Sequence, residues 1–509
     1  MNTRQIFKNA TPNYGRMAVG IVTTLLLTPL ILHKLGAEAY GLWTLTLAVA
    51  GYFSLVDLGI TGAAIRYVTH YRALQDWPNL NKTIGSTLFC YFGMACIALV
   101  GSFAVAACAP HLFHVMPGHV NTLRLLVLNI GLVSAIGFAT TMPIQCVIAA
   151  QRQDALNIWG LGIQVLIALV TAMGVGLGAG VLLLAALQLF STIANGLIAF
   201  VLSRRFLPQA RFRPRWDPEQ GRLVVSFAGT AALITIGWRV IYYTDTLVIA
   251  SFLSIAAVAG YAIALKMTDL MRGLVNAGVA VVGTFAGEQA ALQNKEALAK
   301  LWFEGTKWSL VITLPLCTVF VLTGQQIVSA WIGPGYAAAA TALGWLAVGS
   351  VFDLAQSSAF YVLMNSGGQK VLAWVTLAEA IINLSLSIIL LRHFGIVGVA
   401  MGTTFPIVVR GLVFYPWYLS RLTGVSLSRY FGLAVLPAMR SSVPVFFLSI
   451  VFQDLNLHTD RRTLVGFLLI GTFLTMMSAY YHCLNGRNRM ALKSFITTRL
   501  RQRPAGITA

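Results

Sequence analysis

The sequence contains little charge, and acidic residues are especially few. Only 10% of its 509 residues are charged, against about 25% in a typical soluble domain. There are 15 Asp and Glu against 35 Lys and Arg, while 58% of residues are hydrophobic and the mean hydropathy is +0.78. This composition excludes an ordinary soluble domain and predicts a membrane protein with many spans.

The sequence also lacks the patterns that carry catalysis or metal binding. Its loops contain no nucleotide-binding glycine loop, no paired catalytic carboxylates and no Ser/His/Asp arrangement. The six cysteines lie within or at the ends of apolar segments and form no C-x-x-C pair. The basic residues are spread through short loops rather than gathered on one soluble face. We therefore expect no enzyme activity, no cofactor, no metal site and no nucleic-acid partner.

Fourteen apolar segments are present, most of them long enough to cross about 30 Å of hydrocarbon. They begin near Gly15, Tyr40, Thr83, Asn121, Leu156, Gly178, Val225, Ala257, Glu304, Ala340, Val371, Gly395, Arg429 and Thr463. If the N-terminus is cytoplasmic, twenty-five Lys and Arg fall in the termini and inner loops, and five fall in the outer loops. The positive-inside rule therefore predicts that both termini are cytoplasmic.

We predict an all-α fold of about fourteen transmembrane helices, with two six-helix bundles and two further helices. The basic, aromatic loop from Ser203 to Arg222 separates the bundles, and it either lies on an anionic leaflet or serves only as a linker that sets topology. Similar turns at 35–42 and 253–264 indicate parallel repeats with a cargo site between them. The predicted parts are an N-terminal lobe (1–202), a basic linker (203–224), a C-terminal lobe (225–420), and two last helices with a basic cytoplasmic tail (421–509).

Ten ionisable residues lie deep inside these segments. At about 2.5 to 3.5 kcal/mol each, ten such groups facing lipid would cost about 25 to 35 kcal/mol, more than the stability of about 5 to 15 kcal/mol that proteins have. They must therefore face one another or a wet cavity. The cations are confined to the second half of the chain, and the full set is Arg239, Lys266, Arg272, Arg410 and Arg440 with Asp57, Asp245, Asp269, Asp353 and Glu379.

The eighth span carries a polar stripe that indicates an anion site. Lys266, Asp269 and Arg272 recur every three residues and so share one helix face. Asp269 can pair with only one of the two cations at a time, so the other cation keeps a positive charge that is available to an anion. Because Arg grips phosphate oxygens through two parallel hydrogen bonds, we predict that a pyrophosphate is bound by Arg239, Lys266, Arg272 and Arg410. The alternative is that these residues form internal ion pairs holding helices together.

Four intramembrane acids are candidates for proton or sodium coupling: Asp57, Asp269, Asp353 and Glu379. Burial favours the neutral form of a carboxyl group, so such a residue can load and release a proton. Salt bridges across the bundle are the alternative interpretation.

Three stretches of the N-terminal third resemble the polysaccharide-transporter family. They are Thr28–Leu32, Leu35–Trp43 and Leu55–Val68, the last reading LVDLGITGAAIRYV. This family comprises the O-antigen-type lipid-linked oligosaccharide flippases of the multidrug/oligosaccharidyl-lipid/polysaccharide exporter superfamily. The resemblance implies a V-shaped, MATE-like bundle in the bacterial inner membrane. It also implies a groove for the lipid tail, shaped by the last two spans, with Arg440 at its edge.

The resemblance further implies movement of an undecaprenyl-pyrophosphate-linked oligosaccharide from the cytoplasmic to the periplasmic leaflet by alternating access. This cargo would be a repeat unit of O-antigen, exopolysaccharide or capsule. Membrane lipids, a polysaccharide polymerase and a chain-length regulator are the implied partners. One rival is a cation-coupled multidrug antiporter, whose cationic cargo would require a chamber dominated by acids. The other is a non-transporting scaffold for polysaccharide assembly, which would tolerate neutralisation of the chamber cations.

Overall fold

The computed structural model describes residues 3–57, 59–454, 461–484 and 489. Within these residues the regular structure is entirely helical, which confirms the all-α prediction. The predicted basic tail from residue 490 onward lies outside the described residues.

Seventeen α-helices occur in the described part of the chain. In chain order they are α1 (Thr3–Phe53), α2 (Ile60–Ala73), α3 (Trp77–Leu112), α4 (Val120–Ala149), α5 (Gln153–Gly176), α6 (Val181–Phe206), α7 (Pro218–Phe252), α8 (Ile255–Ala291), α9 (Lys295–Trp331), α10 (Ala337–Ala355), α11 (Ser357–Asn365), α12 (Gln369–Phe394), α13 (Ile396–Val409), α14 (Tyr415–Thr423), α15 (Leu427–Tyr430), α16 (Leu436–Asp454) and α17 (Arg461–His482). π-Helical turns at Arg410–Phe414 and Phe431–Val435 join α13 to α14 and α15 to α16.

Twelve helical segments of the described chain are long and apolar enough to cross a membrane. The first of them, Gly15–Asp57, contains the predicted boundary between spans one and two. There the helix is interrupted only at Gly36, which has a φ of 84°. Glycine adopts this positive φ readily because it has no Cβ. Helix α8 is not among the twelve found in the described residues. The count of fourteen stays a prediction.

The chain divides into two compact units. The first comprises Met1–Gly273, Trp331–Leu346 and Gly367–Pro406; the second comprises Leu274–Ala330, Ala347–Ser366 and Ile407–Ala509. In the first unit α1 packs on α5 and α7, α4 packs on α3 and α6, and α7 packs on α12. In the second unit α16 packs on α17. The lobe boundaries and the V shape stay predictions.

Close packing in the first unit depends on a glycine at the start of the second predicted span. A Cβ built on Gly41 would lie 2.0 Å from the Ile255 carbonyl oxygen. Only glycine therefore allows α1 to approach the first turn of α8 so closely. This contact brings together the two helices that form two walls of the polar cavity described below.

The basic loop between α6 and α7 is fastened to α3. The Arg211 N–H donates to the Asn81 side-chain oxygen at 2.7 Å, and the Arg215 N–H donates to the Gly85 carbonyl at 3.2 Å. Asp217 caps α7 by accepting from the Gln220 N–H at 3.1 Å, and this hydrogen bond lowers the pKa of the Asp217 carboxyl group. The loop is thus ordered on the protein; its contact with a leaflet stays a prediction.

Candidate functional site

A polar cavity of about 570 Å³ lies within the first unit, between α1, α7 and α8. Arg239 of α7 and Lys266 and Asp269 of α8 line it, together with aromatic residues and threonines. The other lining side chains used below are Thr23, Thr24, Thr28, Trp43, Thr44, Trp238, Tyr242 and Tyr243. The structure therefore brings together two of the four predicted pyrophosphate ligands and one predicted coupling acid.

The polar stripe of α8 faces this cavity. Ala262, Leu265, Lys266 and Asp269 all line it, as expected for residues spaced three and four apart on one helix face. Arg272 follows one turn later, and its guanidinium donates to the hydroxyl of Tyr242, itself a lining residue. Arg272 is thus held at the edge of the cavity through Tyr242.

Aromatic side chains orient both arginines. Arg239 Nη1 donates to the Tyr243 hydroxyl at 3.0 Å, one helical turn away on α7. The Arg272 guanidinium lies 4.6 Å from the centre of the Tyr242 ring. Trp238 stacks on the same ring, with the two ring centres 5.7 Å apart. Because tyrosine partners are neutral, they fix the guanidinium groups without cancelling their charge.

The cavity has an excess of positive charge. The predicted pairs of Asp269 with Lys266 and Arg272 do not occur as ion pairs among the described residues, although Asp269 lies in the electrostatic field of both cations. Lys266 also has no hydrogen-bond partner within the described part of the chain. With Arg239 and Lys266 against the single lining acid Asp269, the cavity lining carries one more positive than negative charge.

Arg410 and Asp353 pair with each other inside the second unit. Arg410 Nη2 lies 2.6 Å from Asp353 Oδ1, with the side chains only 5% and 7% exposed. Arg410 Nη1 also donates to the Tyr415 hydroxyl at 3.3 Å. For these two residues the contacts favour the alternative interpretation, an internal ion pair, over the predicted roles in phosphate binding and ion coupling.

The remaining predicted residues lie in different surroundings. Asp57 Oδ1 accepts from the Thr61 hydroxyl at 2.7 Å and from the Thr61 N–H at 3.2 Å, so its contacts are those of a cap at the start of α2. Glu379 is buried in α12 within the first unit. Arg440 is exposed on α16 within the second unit.

A buried cluster around Asp245 was not predicted as a site. Asp245, 3% exposed on α7, accepts from the hydroxyls of Tyr261 and Thr403, each at 2.6 Å, and from that of Ser387 at 3.4 Å. The Thr403 hydroxyl also lies 3.1 Å from the Val399 carbonyl oxygen. Carboxylate, hydroxyl and carbonyl oxygens from α7, α8, α12 and α13 thus lie close together.

An unsatisfied oxygen belongs to the same cluster. Asn383 Nδ2 donates to the Thr403 hydroxyl at 2.9 Å, while Asn383 Oδ1 is buried without a hydrogen-bond partner among the described residues. A Cβ on Gly402 would lie 2.5 Å from the Ser387 nitrogen, so glycine permits this close approach of α12 and α13. The sequence signal was the polar pair Asn383 and Ser387, spaced four apart in an apolar span. An oxygen-only group of this kind can hold a small cation or a proton.

Comparisons with known proteins agree with this fold. The family model described as polysaccharide biosynthesis protein matches residues 4–283. The membrane protein EpsK of Bacillus subtilis (strain 168) is 24% identical over 434 residues, covering 82% of this chain and 83% of EpsK.

Among solved structures, the lipid II flippase MurJ in an inward closed conformation is similar, with a TM-score of 0.68, 14% identity, and coverage of 93% of this chain and 98% of that one. An inward-facing multidrug resistance MATE family transporter of the MOP superfamily gives a TM-score of 0.61 at 15% identity, covering 79% and 96%. The chain is a multi-pass membrane protein with the fold shared by MurJ and the MATE transporters. Since the family model matches more than half of the chain, the chain belongs to the polysaccharide biosynthesis protein family.

Proposed function

We propose that the protein is a flippase that moves an undecaprenyl-pyrophosphate-linked oligosaccharide from the cytoplasmic to the periplasmic leaflet by alternating access. The observation that carries this proposal is the positive cavity lined by Arg239 and Lys266, with Arg272 at its edge. Membership in a polysaccharide biosynthesis family supports a sugar-bearing cargo. The fold shared with a lipid II flippase supports movement of a lipid-linked one.

The chemistry of the cavity suits such a headgroup. Two guanidinium groups held by tyrosines and one ammonium supply the donors that phosphate oxygens accept, and attraction between opposite charges is stronger in a membrane interior than in bulk water. The lining hydroxyls of Thr23, Thr24, Thr28 and Thr44 can hydrogen-bond to sugar hydroxyls. An undecaprenyl chain would remain in apolar surroundings while the charged headgroup is held in the cavity.

An apolar groove in the second unit supports a lipid-linked cargo. It has a volume of about 710 Å³ and lies between α9, α16 and α17. Val311, Pro315, Val445 and Phe467 are among its lining residues. In this proposal the groove formed by the last two helices receives part of the polyprenyl tail, as the family resemblance implies.

For coupling we propose the Asp245 cluster, because it offers a carboxylate, three hydroxyls, an amide oxygen and a backbone carbonyl close together. A sodium ion or a proton bound there would neutralise Asp245 and compensate the unsatisfied Asn383 oxygen. Asp269 and Glu379 stay candidates from the sequence. Asp353 and Asp57 are less suitable, since the first is paired with Arg410 and the second caps α2.

The two rival functions are less well supported. A multidrug antiporter for cationic compounds would need an excess of acids, whereas two cations and one acid line this cavity. A scaffold without transport would not need a positive cavity inside a membrane unit, where each charge out of water is costly. We therefore favour an anionic, lipid-linked cargo.

Binding to the purified protein tests the cargo class. We expect undecaprenyl pyrophosphate to bind and uncharged undecaprenol to bind far more weakly, measured by native mass spectrometry. Arg239→Gln and Lys266→Gln should each weaken pyrophosphate binding by about tenfold or more, since a hydrogen bond to a charged group contributes about 1.5 to 3 kcal/mol.

Arg392→Gln is the matched control, because it removes an exposed cation at the end of α12 in the same unit. It should leave binding unchanged. Equal affinity in all three variants, or equal binding of undecaprenol, would count against the proposed site.

A further inference from the structure

A second polar cavity, of about 540 Å³, lies within the second unit and has no part in the function proposed above. Its walls come from the first turns of α9, the segment from Thr423 to Pro437, and the end of α17. Its charged lining residues are Lys295, Lys300, Lys307, Arg429, Glu296 and Glu304, with His482 beside them. Four cations against two acids leave a local excess of positive charge.

Lys307 is the deepest of these charges. It is 7% exposed, and its ammonium lies 2.7 Å from the carboxylate of Glu304, one turn earlier on α9. Because Glu304 neutralises Lys307, the excess charge resides on Lys295, Lys300 and Arg429, which are exposed around the opening. An incoming anion would therefore meet these exposed cations before it reached the buried ammonium of Lys307.

Aromatic packing holds the walls of this cavity together. Trp302 of α9 is fully buried and stacks on Tyr430 of α15 with ring centres 4.3 Å apart. Gln356 Nε2 donates to the Tyr430 hydroxyl and to the Gly411 carbonyl, each at 2.9 Å. The first turns of α9 and the Arg429 segment are thus fixed relative to each other, so the cations are preorganised.

The apolar groove of the same unit continues from this cavity. On α9 the groove begins at Trp308, directly after Lys307, and extends to Val319, a rise of about 16 Å at 1.5 Å per residue. On α17, Ala479 and Tyr480 line the groove, whereas His482 at the end of the helix and the following Cys483 line the cavity. A charged pocket and a long apolar channel therefore share two walls, which matches the two ends of a lipid.

We propose that this cavity binds the phosphate headgroup of an anionic membrane lipid whose hydrocarbon chain lies in the adjoining groove. The ammonium and guanidinium groups of Lys300 and Arg429 hold the phosphate oxygens at the rim. A soluble phosphate would use only the polar end, and an uncharged lipid only the apolar end. The groove is the one in which the proposed function places part of the polyprenyl tail, so the membrane lipid and the cargo would occupy it in turn. The test below uses phosphatidylglycerol alone, so its failure would leave the cargo-binding cavity of the first unit untouched.

The test is binding of phosphatidylglycerol to the whole protein in nanodiscs of phosphatidylcholine, counted by native mass spectrometry. The double variant Lys300→Gln/Arg429→Gln should bind phosphatidylglycerol about tenfold more weakly than the wild type. The matched control, Lys370→Gln/Arg392→Gln, removes two exposed cations from α12 and should bind it normally. Thermal unfolding confirms that both proteins are folded.

A third variant tests the hydrocarbon end. Gly471 lines the groove and a Cβ there would have no neighbour closer than 3.8 Å, so Gly471→Leu fills the groove without a backbone clash. It should weaken binding of phosphatidylglycerol. Equal affinity of the wild type and the rim variant would overturn the proposal, as would inorganic phosphate that binds as tightly as the lipid.

Discussion

The buried pair of Arg410 and Asp353 gives a prediction that separates structural cations from cargo-binding ones. The side chains are 5% and 7% exposed and their closest atoms are 2.6 Å apart. Replacing one partner of such a pair removes the attraction between the two buried charges and costs about 3 to 5 kcal/mol. Replacing both by apolar residues of similar volume is often neutral or stabilising. We therefore expect Asp353→Leu to destabilise the second unit strongly and Asp353→Leu/Arg410→Met to restore most of the loss.

The assay is equilibrium unfolding in mixed micelles of dodecylmaltoside and SDS, followed by tryptophan fluorescence. The double variant should also keep its affinity for undecaprenyl pyrophosphate. A double variant as unstable as Asp353→Leu would refute this prediction. A stable double variant that has lost affinity for the pyrophosphate lipid would refute it too, because Arg410 would then be a ligand, as first predicted from the sequence.

Three further predictions concern the first unit. If sodium binds at Asp245, it should raise the thermal stability of the wild type, and Asp245→Asn or Asn383→Ala should abolish that increase; an increase that survives in both would exclude this site. Gly402→Ala should reduce the same sodium effect, since its Cβ would lie 2.5 Å from the Ser387 nitrogen; an unchanged effect would show that this close approach is unnecessary. Tyr242→Phe keeps the ring but removes the hydroxyl that holds Arg272, so pyrophosphate affinity should fall by about tenfold; an unchanged affinity would show that Arg272 needs no such support.

Helical periodicity was the sequence feature that predicted most of the candidate site. Lys266 and Asp269 line one cavity because residues three apart share a helix face, which is a local property of the chain. The low charge and long apolar segments predicted the all-α membrane fold for a similarly simple reason. At Gly36 the predicted turn is present as a break within one long helix, since a single glycine suffices for the change of direction.

Contacts between distant segments were harder to predict. Nothing local in the sequence shows that Arg410 pairs with Asp353, fifty-seven residues earlier. The sequence equally allowed Arg410 to join the cations of span eight in one anion site. The Asp245 cluster escaped prediction because its other members are the uncharged residues Asn383, Ser387, Thr403 and Tyr261, which are tolerated singly in membrane helices. Only packing of α7, α12 and α13 brings their oxygens together.

We propose above that the positive charge in the cavity between α1, α7 and α8 holds the headgroup of an anionic lipid-linked sugar while the protein moves it across the membrane. The most direct test of this proposal is transbilayer movement of a fluorescent undecaprenyl-pyrophosphate oligosaccharide in proteoliposomes, comparing wild type, Lys266→Gln and Arg392→Gln after each is shown to be folded. We predict movement by the wild type and by Arg392→Gln, and its loss in Lys266→Gln. Absence of movement by the wild type under every imposed ion gradient, or undiminished movement by Lys266→Gln, would contradict the account.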